Sequence, residues 1–261
     1  MARKNSILYA IPISAILLLE VGMPARLSSI ATAAPENTNN QVVRGSWNEF
    51  EPPGNGAPGR REPGGTRGPS NSKEIGLTAL MPEKNTSLTV SQYPSFLFYV
   101  PEMNPQTTVE FVMYEYVNDG TDKEVYKTLF KTTGKPGIIS LNLPDKANFK
   151  PLEIGKNYRW YFSVIVNPSD RAADQVVEGW VKRVAKNANL ENELKTASGL
   201  AVAKAYRETG VWQDTIATLA DLRRDNPSDM AIAKEWNEVL KSVELEKIAQ
   251  APIMDKIAIE K

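Results

Sequence analysis

Between residues 74 and 185 the chain alternates apolar and polar side chains in short runs, and nothing there has helical spacing. No other feature narrows the fold so far, because a period of two puts the apolar side chains on one face of a sheet. Eight runs rich in Val, Ile, Thr, Tyr, Phe and Trp are separated by Pro, Gly, Asn and Asp: Glu74–Leu80, Thr86–Val90, Ser95–Val100, Thr108–Val117, Glu124–Lys131, Gly137–Leu143, Tyr158–Val166 and Val176–Lys182. Val109, Phe111, Met113 and Val117 share one face, with Glu115 the exception. Tyr158, Trp160, Phe162, Val164 and Val166 share another, with Arg159, Tyr161 and Ser163 opposite. Eight short strands without intervening helices predict a β-sandwich rather than a parallel α/β sheet.

The run Leu152–Tyr158 sharpens this to the immunoglobulin or fibronectin type III kind. It resembles a tyrosine corner, in which a Tyr at the start of a core strand bonds its hydroxyl to upstream backbone. Tyr158 is therefore expected to be structural.

From 188 to 250 the period becomes 3.6. Leu200, Ala203 and Tyr206, then Ile216, Leu219, Ala220 and Leu222, then Ile232, Trp236, Val239, Leu240 and Val243 form three apolar stripes. Gly210 ends the first helix, and Pro227 with Ser228 as N-cap opens the third. Ala203, Tyr206, Gly210, Trp212, Ile216, Leu219 and Pro227 resemble one tetratricopeptide repeat, with Thr215 where the repeat usually has Ala. One unit cannot stack into a solenoid, so a three-helix subdomain packed on the sandwich is expected. Trp160, Trp180, Trp212 and Trp236 are read as core or interface packing, with rings meeting where helices and sheet join.

The amino terminus reads as an export signal. Arg3 and Lys4 precede a largely apolar run from Ser6 to Leu19. That run is shorter than the ~20 residues a membrane span needs. Ala31-Thr32-Ala33 offers a cleavage site before Ala34, so the expected location is the periplasm, the cell envelope or the exterior. No Cys follows the run, which excludes a lipid-modified terminus. The expected division is signal peptide 1–33, leader 34–73, sandwich 74–185, helical subdomain 186–250 and a fraying tail 251–261. The leader holds seven Gly and six Pro, a composition too poor in apolar surface to offset its own ordering. It is a flexible tether or a basic strap carrying Arg60, Arg61 and Arg67.

Composition closes several kinds of chemistry. The 261 residues include no His and no Cys, which excludes Ser-His-Asp triads, cysteine nucleophiles, imidazole or thiolate zinc sites and disulfides. With 31 basic and 31 acidic residues there is no broad field for nucleic acid or anionic lipid. The only membrane contact expected is through the export signal. Gly54-Asn55-Gly56 follows no strand and precedes no helix, so it is no phosphate loop. No motif calls for a cofactor.

Taken together, Pro58-Gly59-Arg60-Arg61, Gly64-Gly65-Thr66-Arg67, Leu77–Pro82, Pro94–Pro101, Asn167-Pro168-Ser169-Asp170-Arg171, Glu178-Gly179-Trp180-Val181, Gly210-Val211-Trp212 and Leu222-Arg223-Arg224 resemble the cyanobacterial domain of unknown function numbered 928. The resemblance covers roughly residues 45–250. It implies export and this architecture, and it assigns no catalytic residue. It also favours an ordered strap over a plain linker at 58–68.

Two constellations could carry chemistry. Asn167, Asp170 and Asp174 are a candidate oxygen set for a hard cation such as calcium, but the spacing matches no EF-hand and an ordinary turn, with Asx side chains bonding local backbone, is the favoured reading. Glu110, Glu115 and Glu178, the last beside Trp180, are the carboxylates a glycosidase would need. Glu110 and Glu115 differ by five positions and so face opposite sides of a regular strand unless a bulge intervenes. The expectation is a non-catalytic binding module for a protein or envelope polymer. Its candidate surface comprises Arg60, Arg61, Arg67, Asp170, Arg171, Asp174 and Trp180. Removing residues 45–72 is expected to weaken binding without unfolding the domain. The alternatives are a carboxylate-dependent carbohydrate hydrolase and a self-associating structural component of the envelope.

Overall fold

The computed structural model describes residues 47, 50–53, 59–63, 75–117, 121–145, 149–254 and 257, all within the compact unit Val43–Lys261. The signal segment, Arg67 and most of the tail beyond 254 lie outside the described residues. The fold is mixed β with α, with two sheets and four helices among the described residues.

All eight expected strands are present: β1 Thr78–Ala79, β2 Thr86–Thr89, β3 Ser95–Val100, β4 Thr108–Val117, β5 Thr121–Lys131, β6 Gly137–Asn142, β7 Asn157–Ile165 and β8 Gln175–Arg183. They form a three-stranded sheet, β1-β3-β6, and a five-stranded sheet, β2-β8-β7-β4-β5. Every pairing is antiparallel except β2 with β8. The sheets face each other through aromatic rings. Phe98 on β3 stacks on Phe162 of β7 at 3.9 Å between centroids, and Phe96 lies 5.2 Å from Phe111 and 5.7 Å from Trp160. Gly179 is required here, since a Cβ would come within 2.5 Å of the Trp160 ring.

The alternation holds where the strands face this core and fails at their ends. Val109, Phe111, Met113, Tyr158, Trp160, Phe162 and Val164 are buried. Val117, the last residue of β4, and Val166, just beyond β7, are 39% and 58% exposed. The Tyr158 hydroxyl accepts the Glu153 backbone N–H at 2.9 Å, the upstream bond anticipated from sequence.

Four helices follow, not three: α1 Ala188–Thr196, α2 Leu200–Glu208, α3 Trp212–Asp225 and α4 Met230–Lys241. Helix α1 has no apolar stripe and buries only Leu190. Its start is fixed by the Asn187 side chain accepting the Leu190 N–H at 2.8 Å. The cap of α4 is Asp229 rather than Ser228, because one carboxylate oxygen takes both the Ala231 and Ile232 N–H groups. Gly210, with φ +69°, ends α2 as expected.

The first turn of α3 meets the sheets. Trp212 donates its ring N–H to the Leu80 carbonyl at 2.9 Å, and its ring is met edge-on by Trp47 of the leader at 4.6 Å. No indole from the sheets makes that contact, contrary to expectation. Trp212, Ile216, Leu219, Trp236 and Val239 belong to the same apolar cluster as Leu77, Phe96, Phe98 and Trp160.

The described part of the leader is packed. The Arg60 carbonyl accepts the Glu178 N–H of β8 at 2.8 Å, and the Arg61 carbonyl accepts the Ala79 N–H of β1 at 2.9 Å. Trp47 bonds Ser242 at 3.0 Å. These residues tie both sheets to the helices, so removing 45–72 takes away structure as well as arginines. At the other end, Ile138 of β6 donates to the Pro252 carbonyl and Met254 donates back to Ile138, both at 2.8 Å. This segment is seated against β6 rather than frayed. Gly137 makes room for it, as a Cβ would lie 2.8 Å from both the Pro252 carbonyl and the Met254 sulfur.

Candidate binding face

Strand register decides which of the candidate residues meet. Glu124, Tyr114, Arg159 and Trp180 form one row across β5, β4, β7 and β8 on the outer face of the five-stranded sheet. Lys127, Val112, Tyr161 and Glu178 form the next, and Leu129, Glu110, Ser163 and Val176 the one after.

Trp180 and Arg60 belong to one cluster on this face. Glu178 takes Arg159 at 2.7 Å and Arg60 at 3.6 Å. The Arg159 guanidinium lies over the rings of Tyr161 and Trp180, 5.0 and 5.6 Å from their centroids. Tyr116 meets Trp180 edge-on at 6.0 Å, and Tyr114 meets Tyr161 likewise at 6.0 Å. Phe50 of the leader sits 5.9 Å from the Lys182 ammonium. Trp180 is only 4% exposed, whereas the Arg60 side chain is 64% exposed. Gly59 permits this approach, since a Cβ would lie 2.5 Å from the Glu178 carbonyl.

Asp170, Arg171 and Asp174 form the second cluster, on the loop between β7 and β8. Asp170 caps a short 3-10 turn by accepting the Ala172 N–H at 3.1 Å. Arg171 holds Asp174 at 2.5 Å and reaches Glu110 at 2.9 Å, where Lys127 also binds at 2.9 Å. Asn167 accepts the Ser169 N–H at 3.0 Å. Asn167 and Asp170 thus make Asx-type bonds to local backbone, Asp174 Oδ2 takes the Arg171 guanidinium, and Asp174 Oδ1 is buried without a hydrogen-bond partner. Burial pushes the Glu110 carboxyl up, but the bonds and charges of Lys127 and Arg171 outweigh it and hold the group below its usual range. Beside the loop runs an open groove of about 690 Å³, lined by residues 101–108, Lys131, Val166, Pro168 and Gln175.

Arg61 joins neither cluster. Its guanidinium donates to the Val243 carbonyl at 2.7 Å, a tie between leader and helices.

The three glutamates do not share a site. The bulge opposite Met113 and Tyr114 adds Val125 to β5 and leaves β4 regular against β7. Glu115 therefore stays on the opposite side from Glu110 and binds Lys156 at 2.7 Å. Glu110 and Glu178 are two strands and one row apart, roughly 12 Å at the backbone from strand spacing and rise. The acid of a glycosidase pair has a raised pKa, whereas the Glu110 carboxyl is held below its usual range.

A third polar cluster was missed from sequence. Between β2 and α3, Asp214 accepts the Thr89 hydroxyl at 2.9 Å and the Val90 N–H at 3.0 Å. Gln213 takes the Ser87 hydroxyl at 3.1 Å and donates to the Ser95 carbonyl. Burial pushes the Asp214 carboxyl up to about 6, against the lowering effect of those bonds and of Lys186. A cavity of about 130 Å³ adjoins it, lined in part by Ser91, Tyr206 and Asp221. The signal available in sequence was two polar residues directly after Trp212, within the first turn of a helix whose apolar stripe begins there.

Residues 62–253 match the family model described as "Domain of Unknown Function (DUF928)". No curated protein matches the chain. Among solved structures it is similar to the sensor domain of the anti-sigma factor RsgI4 in Pseudobacteroides cellulosolvens, at 15% identity and a TM-score of 0.27, over 45% of this chain and 100% of that one. It is also similar to astrotactin-2, a vertebrate-specific membrane protein, at 10% identity and 0.25, over 66% and 34%. The third is Bacteroides uniformis beta-glucuronidase 2, at 8% and 0.25, over 71% and 27%.

Proposed function

We propose, from the premise that the chain belongs to the DUF928 family, that it is an exported, non-catalytic binding module of the cyanobacterial periplasm or cell envelope. In this reading the sheets form an immunoglobulin-like sandwich carrying a tetratricopeptide-like helical unit. The outer face of the five-stranded sheet captures a protein or envelope polymer. The observation that carries the reading is the convergence on that face of Arg60 from the leader, Arg171 from the loop, and Tyr114, Tyr116, Tyr161 and Trp180 from the strands. Aromatic rings beside guanidinium groups combine contact area with directional bonding, the pairing that dominates binding hot spots.

The test is capture from an envelope fraction by the full chain and by a Y114A/Y161A variant. Capture falls at least ~10-fold, as loss of two contact rings implies, while the melting temperature stays the same. Equal capture overturns the assignment of the face. Export is tested separately by sequencing the amino terminus of protein recovered from the periplasm. A start at Ala34 supports it, and an intact residue 1–33 segment on cytosolic protein overturns it.

A further inference from the structure

Two sheets have four lateral edges, and the chain treats one of them differently. The edge of β1 is met by the Arg61 carbonyl. The edge of β6 is met by Pro252 and Met254, and the Ile257 N–H reaches the Ser140 carbonyl at 3.3 Å. The outer side of β2 faces α3 through Ser87–Gln213 and Thr89–Asp214. Strand β5 pairs with β4 on one side, and among the described residues nothing pairs with its other side. It runs 11 residues, most of them exposed, including Leu129 at 55%. Such an edge presents unpaired backbone donors and acceptors to any extended chain.

The charges on β5 select what can add there. Lys123 stands on the inner side in register with Glu115, and on the outer face Asp122 and Glu124 occupy the first half of β5 and Lys127 and Lys131 its second. The outer four are in register with Tyr116, Tyr114, Val112 and Thr108 of β4. A second β5 laid parallel would set acid on acid and lysine on lysine. Laid antiparallel across a twofold axis, it sets each acidic half against a basic half, twice over. Lysines and the bulge at Val125 are devices that stop indiscriminate edge pairing. In this order along the strand the same charges discriminate between partners.

We infer that the open edge of β5 is a self-association surface, at which a second copy of this chain adds its own β5 antiparallel and joins the two five-stranded sheets into one. The contact is small beside a standard interface, so the dimer is weak and concentration-dependent. This goes beyond the proposed binding and does not depend on it.

Sedimentation velocity of the full chain over a range of concentrations tests the inference, together with two charge-reversed variants, D122K/E124K and K127E/K131E. The wild type shows a coefficient that rises with concentration. Each variant alone associates at least ~10-fold more weakly, because opposed unlike charges become like. An equimolar mixture of the two regains the association of the wild type. K131E alone, which leaves the Lys127–Glu110 pair intact, weakens it by less. A wild type that stays monomeric overturns the inference. So do variants that associate as the wild type does, or a mixture that regains nothing.

Discussion

The seam between β2 and α3 and the outer face of the five-stranded sheet both gather carboxylates, hydroxyls and amides, yet they treat a carboxylate in opposite ways. At the seam, Asp214 is enclosed with neutral donors, and burial moves it up to about 6. On the outer face, Glu110 touches Lys127 and Arg171, and the two cations hold it below its ordinary range. Asp214 lies deep with no cation bonded to it and rises, whereas Glu110 lies shallower against two cations and falls, so burial and the touching charges set the sign together.

The largest break in this comparison comes from Trp212→Ala, which removes the ring that carries the seam. The expected loss is about 3–5 kcal/mol, measured by urea unfolding. Next is pH. The folded pKa of Asp214 lies above that of an unfolded Asp, so its effect is a stability gain present below pH ~4 and lost as pH rises through about 6. The span is up to about 3 kcal/mol. D214N removes that dependence, and at pH 7 the variant is the more stable protein; equal pH curves for the two would contradict the buried seam. Gly59→Ala drives a Cβ into the backbone of β8 and costs about 1–3 kcal/mol. Thermal unfolding would read it, and an unchanged midpoint would show that the leader does not need this approach. The smallest effect is E110Q. Lys127 and Arg171 are 44% and 49% exposed, so the loss at neutral pH is about 1 kcal/mol or less. It fades as pH drops through the lowered folded pKa, opposite in sign to D214N.

Sequence reasoning reached the strands because period-two patterning is local. All eight runs became strands, and Tyr158 made its bond five residues upstream. It missed α1, whose single buried residue leaves no stripe to read. It missed the seam because Asp214 meets Thr89 across 125 positions, and a polar residue in a helix reads as a solvated one. The tie from Arg61 to the Val243 carbonyl, 182 positions away, was out of reach for the same reason. Of the candidate surface, Arg60 and Trp180 do meet around Glu178, while Asp170, Arg171 and Asp174 form a neighbouring group around Glu110.

The strips that finish the sheets, Gly59–Arg61 and Pro252–Met254, come from opposite ends of the described chain. A polypeptide emerging residue by residue therefore carries a bare β6 until residues 252–254, more than a hundred positions later, have appeared. During that interval the nascent body is adhesive, and long-range closure of this kind is slow. Synthesis that halts before residue 252 leaves a product whose apolar layers are assembled but whose flank is unsealed, the state in which such chains clump.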